Sequence, residues 1–212
     1  MIQVTSTDTT NPMKSKININ IICGFKNSGK DTIADILESK YNYKHLKISN
    51  LFHKSNSNDS NDDLYNNNNN SSTHNTYLDY LTPQNNNRPM VKHLLQMIEN
   101  EYIIPNETKH QNIVISDLKY MNEYEAFIQL WYKYPNQVII NVIKMIRNNT
   151  PRYYTIDKHE SDIEHLNFSY NYIIENNSNI DTLIKKIQNL HSQIQNDITT
   201  NSCRRINMTI GR

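Results

Sequence analysis

The sequence predicts an α/β fold, a five-stranded parallel sheet with helices on both faces. Short β-branched runs alternate with segments of helical apolar spacing along most of the chain. Glycine is nearly absent, yet two of the three glycines lie five positions apart between the first strand and the first helix. The 212 residues, 36% apolar, are enough for one domain to bury its own core.

Residues 1–16 are polar and aperiodic and read as a flexible arm. Ile17–Cys23 is the first buried strand. Ile33, Ile36, Leu37 and Tyr41 recur at helical spacing, so Lys30–Lys40 is the first helix. Lys44–Ser49 reads as a second strand. Residues 53–77 are a polar, Asn-rich insertion. Arg88-Pro89 opens a helix running to about Glu101, with Val91, Leu94, Leu95 and Ile98 on its apolar face. Asn112–Ser116 is the third strand and ends at Asp117. Lys119–Tyr134 is a helix stopped by Pro135. Val138–Ile146 is the fourth strand, Asn171–Glu175 the fifth, and a last amphipathic helix carries Ile180, Leu183, Ile184, Ile187 and Leu190. The domain is expected over 17–197, with a tail at 198–212.

Composition narrows the function. Twenty-two basic side chains balance 21 acidic ones, for a net charge of +1. Neither a nucleic-acid binder nor an acidic solvating chain is indicated. No apolar run approaches the roughly 18 residues a spanning helix needs, and the N-terminus lacks a secretory h-region, so a cytoplasmic protein without membrane partners is expected. Cys23 and Cys203 are 180 positions apart and form neither a disulfide framework nor a metal spacing. The eight histidines show no zinc spacing. The 35 Asn residues match the bias of an A+T-rich genome, so most are expected on the surface and carry little weight as functional markers.

Gly24-Phe25-Lys26-Asn27-Ser28-Gly29-Lys30 fits the G-x-x-x-x-G-K phosphate-binding loop in its required context, strand before and helix after. Gly permits close backbone approach, successive N–H groups face phosphate oxygens, and the helix N-terminus favours anions. Lys30 is then placed to neutralise the β- and γ-phosphates of ATP. Residue 31 is Asp where Ser or Thr usually supplies a hydroxyl to Mg²⁺. Either Asp31 holds the metal through a water or Thr32 adjusts to reach it, and the sequence leaves both open.

The Ser-Gly-Lys-Asp-Thr run resembles the deoxynucleoside monophosphate kinases of large phages and other DNA viruses, a branch of the P-loop kinases. Four further segments are similar in the same order. They are Val91–Gln96, then Ile115–Lys119 with Glu123, then Arg147 with His159-Glu160-Ser161-Asp162, and finally Tyr172–Leu183. The similarity spans about 17–190. Lys92, Glu99-Asn100, Lys119 and Asp162 depart from the family pattern, and an Arg-to-Lys change loses planar bidentate recognition.

The resemblance implies the three-layer P-loop kinase fold and ATP- and Mg²⁺-dependent phosphorylation of a deoxynucleoside 5′-monophosphate, in the host cytoplasm for a viral protein. The enzyme would be a monomer or homodimer. Gly24, Lys26, Asn27, Ser28, Gly29, Lys30, Asp31, Thr32 and Arg147 would bind ATP. Lys30, Arg147 and Arg152 would serve catalysis, the two arginines flanking a lid-like segment at about 147–168. Lys54, Arg88, Lys92, Gln96, Asp117, Lys119, Glu123 and His159 would contact the substrate. Asp31, Thr32 and Asp117 would orient the metal, partly through water. Asp117 at a strand's carboxyl edge also suits an ordinary N-cap for the following helix. Two rival functions stand beside this one. Phosphomevalonate kinases also carry Ser-Gly-Lys-Asp, and a degenerate module would bind nucleotide without turnover. A GTPase lacks support, since no Asn-Lys-x-Asp element follows any strand.

Overall fold

The computed structural model describes residues 16–51, 89–105, 111–148 and 164–200. Five strands, β1 (Ile17–Cys23), β2 (Lys44–Leu46), β3 (Gln111–Ile115), β4 (Val138–Ile146) and β5 (Tyr172–Glu175), form one sheet in the order β2-β3-β1-β4-β5. Every neighbouring pair is parallel. The helices are α1 (Lys30–Tyr41), α2 (Pro89–Ile98), α3 (Met121–Lys133) and α4 (Ile180–Thr199). A five-residue π-turn, Glu99–Ile103, continues α2.

Two apolar clusters make the three layers. On one face Ile19, Ile21, Ile113, Ile115 and Val142 meet Leu94, Ile98, Phe127 and Ile128 of α2 and α3. On the other, Ile22, Val114, Ile143 and Ile174 meet Ile33, Leu37, Leu183, Ile187 and Leu190 of α1 and α4. All seven residues of β1 are buried, as a central parallel strand covered on both sides requires. The five strands, the parallel sheet and the helices on both faces are those expected from the sequence.

The boundaries differ where distant residues decide them. β2 ends at Leu46 instead of Ser49, because Ile48 N–H and Ser49 N–H both donate to Asp117, at 3.0 and 2.8 Å. These bonds start a helical turn at residues 48–51. The helix expected from Lys119 begins at Met121, since Glu123 Oε2 reaches back to accept from Lys119 N–H at 2.9 Å and Tyr120 N–H at 3.0 Å. Asp117 therefore caps the turn after β2, and the helix that follows Asp117 is tied back by Glu123. The arm, save for Lys16, the insertion at 53–77 and most of the lid-like segment lie outside the described residues. The expected tail overlaps α4, which runs to Thr199.

The expectation that Asn lies on the surface fails in the sheet. Asn18, Asn20 and Asn141 are buried, on the face covered by α1 and α4. Asn18 pairs in register with Asn112, and Asn20 with Asn141. Asn18 Nδ2 donates to Asn112 Oδ1 at 2.9 Å, and Asn141 Nδ2 donates to Asn18 Oδ1 at 2.7 Å and Asn20 Oδ1 at 3.3 Å. Asn20 Nδ2 donates to the carbonyls of Asn18 and Ile113. A buried amide is tolerated only when its partners are present, and here one ladder links three strands.

A histidine joins the far ends of α1 and α4. His191 stacks on Tyr41 with ring centroids 4.2 Å apart, and its Nδ1 lies 3.2 Å from the Tyr43 hydroxyl. Burial pushes the Tyr43 phenol up to about 12 and holds His191 below the ordinary histidine value of 6.5.

Two predictions follow from these buried polar groups. Asn141→Leu orphans the side-chain oxygens of Asn18 and Asn20 and should cost about 2–4 kcal/mol in urea unfolding; an unchanged midpoint would refute the ladder's role. Because the folded state resists protonating His191, its contribution is complete above pH 6.5 and is lost as pH falls towards the depressed folded value. Stability should therefore fall on acidification below about pH 6.5, less steeply in His191→Phe, with equal slopes as the refuting result.

Candidate active site

The glycine loop leaves the carboxyl end of the central strand β1 and enters α1, the edge at which open α/β sheets bind ligands. Gly24 has φ +149° and Gly29 φ +99°, conformations that L side chains rarely adopt. A Cβ on Gly24 would lie 2.7 Å from the Met145 carbonyl oxygen of β4, and one on Gly29 would lie 2.5 Å from Asn176 Nδ2, just past β5. Asn27, at φ +64°, takes the left-handed region that Asn tolerates better than most residues. The loop thus curls tightly against the ends of β4 and β5. Asn176 Nδ2 also donates to Ser28 O at 2.9 Å, which pins the loop from that side.

Inside the loop, Lys30 Nζ donates to Gly24 O at 2.8 Å and Phe25 O at 2.9 Å. Ser28 Oγ is buried without a hydrogen-bond partner among the described residues. Gly29 is the N-cap of α1 and offers no side-chain cap, which leaves the first-turn N–H groups to a ligand. Lys26 and Asn27 are exposed. Arg147, exposed at the end of β4, donates from Nη1 to Asn27 O at 3.3 Å and so lies against the loop. Phe25 meets the His165 ring edge-on at 4.9 Å. Cys23, at the base of the loop, is buried. Burial pushes its thiol up to about 11 against the lowering charges of Lys144 and Lys30, which keeps it in the thiol form.

Asp31 faces the β2–β3 side. Its Oδ1 accepts from Ser116 Oγ at 2.7 Å and pairs with Lys47 Nζ at 2.9 Å. Oδ2 has no partner among the described residues, and the side chain is 64% exposed. Partial burial pushes this carboxyl up, but hydrogen bonds from Lys47 and Ser116 and the charges of Lys47 and His45 outweigh it and hold the pKa below the ordinary carboxylate value. Lys47 is raised in turn, first by its bond to Asp31 and further by the charges of Asp31, Asp35 and Asp117 against a lowering from burial. Thr32 is exposed and its hydroxyl makes no bond to the described residues. Asp117 has both oxygens engaged, by Ile48 N–H, Ser49 N–H and Ser49 Oγ.

The chemistry of these donors fits a magnesium ion held mainly by the nucleotide. Among the described residues no group of three His, Cys, Asp or Glu side chains could hold a metal. Mg²⁺ needs no such cage, since one carboxylate with phosphates and waters suffices. Of the three candidates, Asp31 alone presents an unengaged carboxylate oxygen beside the loop.

Lys92 and Gln96 are exposed on α2, and Lys119 is exposed after β3. Glu123 is buried and spent on the start of α3. Lys54, Arg88, Arg152 and His159 lie outside the described residues. Sequence reasoning missed Lys47, His45 and Ser116, which gather around Asp31 from the ends of two strands, and Asn176, which braces Gly29.

No protein-family model matches the chain, and no curated protein sequence matches it. Among solved structures it is similar to a gluconokinase from Sinorhizobium meliloti 1021, with 9% identity, a TM-score of 0.46, and 90% of this chain and 98% of that one covered. It is also similar to an APS kinase from Mycobacterium tuberculosis in complex with AMPPNP and APS (11%, 0.45, 84% and 99%) and to a sugar kinase from Janibacter sp. HTCC2649 (10%, 0.47, 81% and 91%).

The close approaches yield a graded prediction. Gly24→Ala drives a Cβ into a backbone oxygen and should abolish binding of a fluorescent ATP analogue. Gly29→Ala meets only the end of the Asn176 side chain and should weaken binding less, with partial recovery in Gly29→Ala/Asn176→Ala. Equal binding by Gly24→Ala and wild type would contradict the geometry.

Proposed function

We propose that the protein is an ATP- and Mg²⁺-dependent phosphotransferase that converts a deoxynucleoside 5′-monophosphate to its diphosphate. The observation that carries this reading is the loop at residues 24–30. Two sterically obliged glycines, a lysine and an uncapped helix N-terminus converge at the carboxyl edge of the central strand. Phosphoryl transfer asks mainly for aligned oxygens and fixed positive charge. Lys30, the first-turn N–H groups of α1 and Arg147 supply that charge on the donor side. Asp31 would orient the metal, whose contribution when bound is to neutralise and align the phosphate oxygens.

The acceptor is assigned from the family resemblance. His159-Glu160-Ser161-Asp162 and the spacing of Asp117, Lys119 and Glu123 support a nucleotide over a phosphomevalonate acceptor, whereas Asp31 is common to both. Within that reading Asp117 and Glu123 shape the acceptor side by fixing the turn after β2 and the start of α3. Lys47 adds a cation to that edge of the site. The lid-like segment with Arg152 and His159 would close over the transferring phosphoryl and exclude water.

Purified protein with ATP and Mg²⁺ should convert at least one of dTMP, dGMP, dCMP or dAMP to the diphosphate, measured by chromatography. Lys30→Ala should lose about a hundredfold or more of that rate. Turnover of phosphomevalonate alone would transfer the protein to that acceptor class. ATP binding without any turnover would refute the enzyme reading.

A further inference from the structure

Asp31 is held unsymmetrically, by a chain of side chains that runs away from the phosphate loop. Ser116 Oγ donates its only proton to Asp31 Oδ1 at 2.7 Å. The contact of the same hydroxyl with His45 Nε2, at 2.9 Å, must then run the other way, with Nε2–H donating to Ser116 Oγ. On the opposite side of the ring, His45 Nδ1 lies 3.3 Å from Oδ1 of Asp35, one helical turn beyond Asp31 on α1, a contact that becomes a hydrogen bond when the ring carries its second proton. Ser116 is buried and the His45 side chain is only 6% exposed, so neither is a casual surface contact. The hydroxyl, backed by the ring, and Lys47 Nζ, 2.9 Å from the same oxygen, together fix which Asp31 oxygen faces the protein and which does not.

We propose that Ser116 and His45 are positioning residues that lock Oδ1 of Asp31 and so present its Oδ2 to the metal of the bound nucleotide. The inference rests on the phosphotransferase reading for the identity of that metal. A carboxylate on a helix N-terminus has several rotamers, and a metal ligand that must first be ordered binds more weakly than one already held. In the usual phosphate loop a Ser or Thr hydroxyl at this position is short and has little freedom to lose. The longer, charged Asp31 needs outside support, and the chain from the ends of β2 and β3 supplies it.

The test is the affinity of AMPPNP measured by calorimetry with Mg²⁺ and with EDTA, because the ratio of the two isolates the metal's contribution without requiring turnover. Ser116→Ala should reduce that ratio by about tenfold while the EDTA affinity stays within about twofold of wild type. Ser116→Thr, which keeps the hydroxyl, should retain the wild-type ratio. His45→Gln, which keeps a donor at the Nε2 position, should retain more of it than His45→Leu. Unchanged ratios in Ser116→Ala, equal losses with Mg²⁺ and EDTA, or no gain from Mg²⁺ in the wild type would each overturn the proposal. A protein that shows the expected ratios yet phosphorylates no deoxynucleotide would instead overturn the kinase reading and leave the positioning chain intact.

Discussion

The closeness of the glycine loop to the ends of β4 and β5 is the constraint on which the rest of the site depends. Met145 O and Asn176 Nδ2 occupy the space where side chains at residues 24 and 29 would sit. At residue 24 a Cβ would collide with backbone that cannot move aside, and at residue 29 it would displace the Asn176 side chain and strain the backbone, so the two glycines let the chain turn from the central strand into α1. The parallel sheet makes this possible. With β4 hydrogen-bonded directly to β1 through seven residue pairs, the end of β4 is forced alongside the loop, and β5 brings Asn176 beside it.

The two sides of the loop differ in kind. Towards β4 and β5 the contacts are steric and hydrogen-bonded to backbone, with Asn176 on Ser28 O and the Arg147 guanidinium on Asn27 O as the polar ties. Towards β2 and β3 they are charged, with Asp31, Asp35 and Asp117 set against Lys47 and His45. The first side fixes the shape of the glycine loop. The ion-paired side fixes the orientation of Asp31, and its bonds are the ones that respond to a change of side chain at residue 31.

Much of the frame was legible because it is local. Apolar periodicity and β-branched runs place β1 and β4 at their observed ends, and the glycine spacing places the loop. What was not legible depends on partners far along the chain. β2 stops early because Asp117, 69 residues from Ile48, takes its N–H, and no property of residues 44–49 announces that bond. Ser116, His45 and Lys47 come from two different strands and become a group only when β2 pairs with β3. The asparagine ladder was different, since Asn18 and Asn20 alternate with isoleucine in a strand expected to be buried on both faces. That spacing put both amides on one covered face, where each required a partner, and composition drew attention away from it.

An Asp directly after the loop lysine changes the electrostatics that the loop has to satisfy. A hydroxyl there brings no charge, whereas Asp31 places a carboxylate in the first turn of α1 beside the glycine loop. The helix N-terminus offsets part of that charge, and Lys47 offsets more from the end of β2. Without these two the carboxylate would stand uncompensated beside the loop. Lys47 is thus the complement of Asp31, as the absence of a side chain at Gly29 is the complement of Asn176. The substitution at residue 31 is therefore coupled to a charge in another strand, and the site holds together as a set of such pairs.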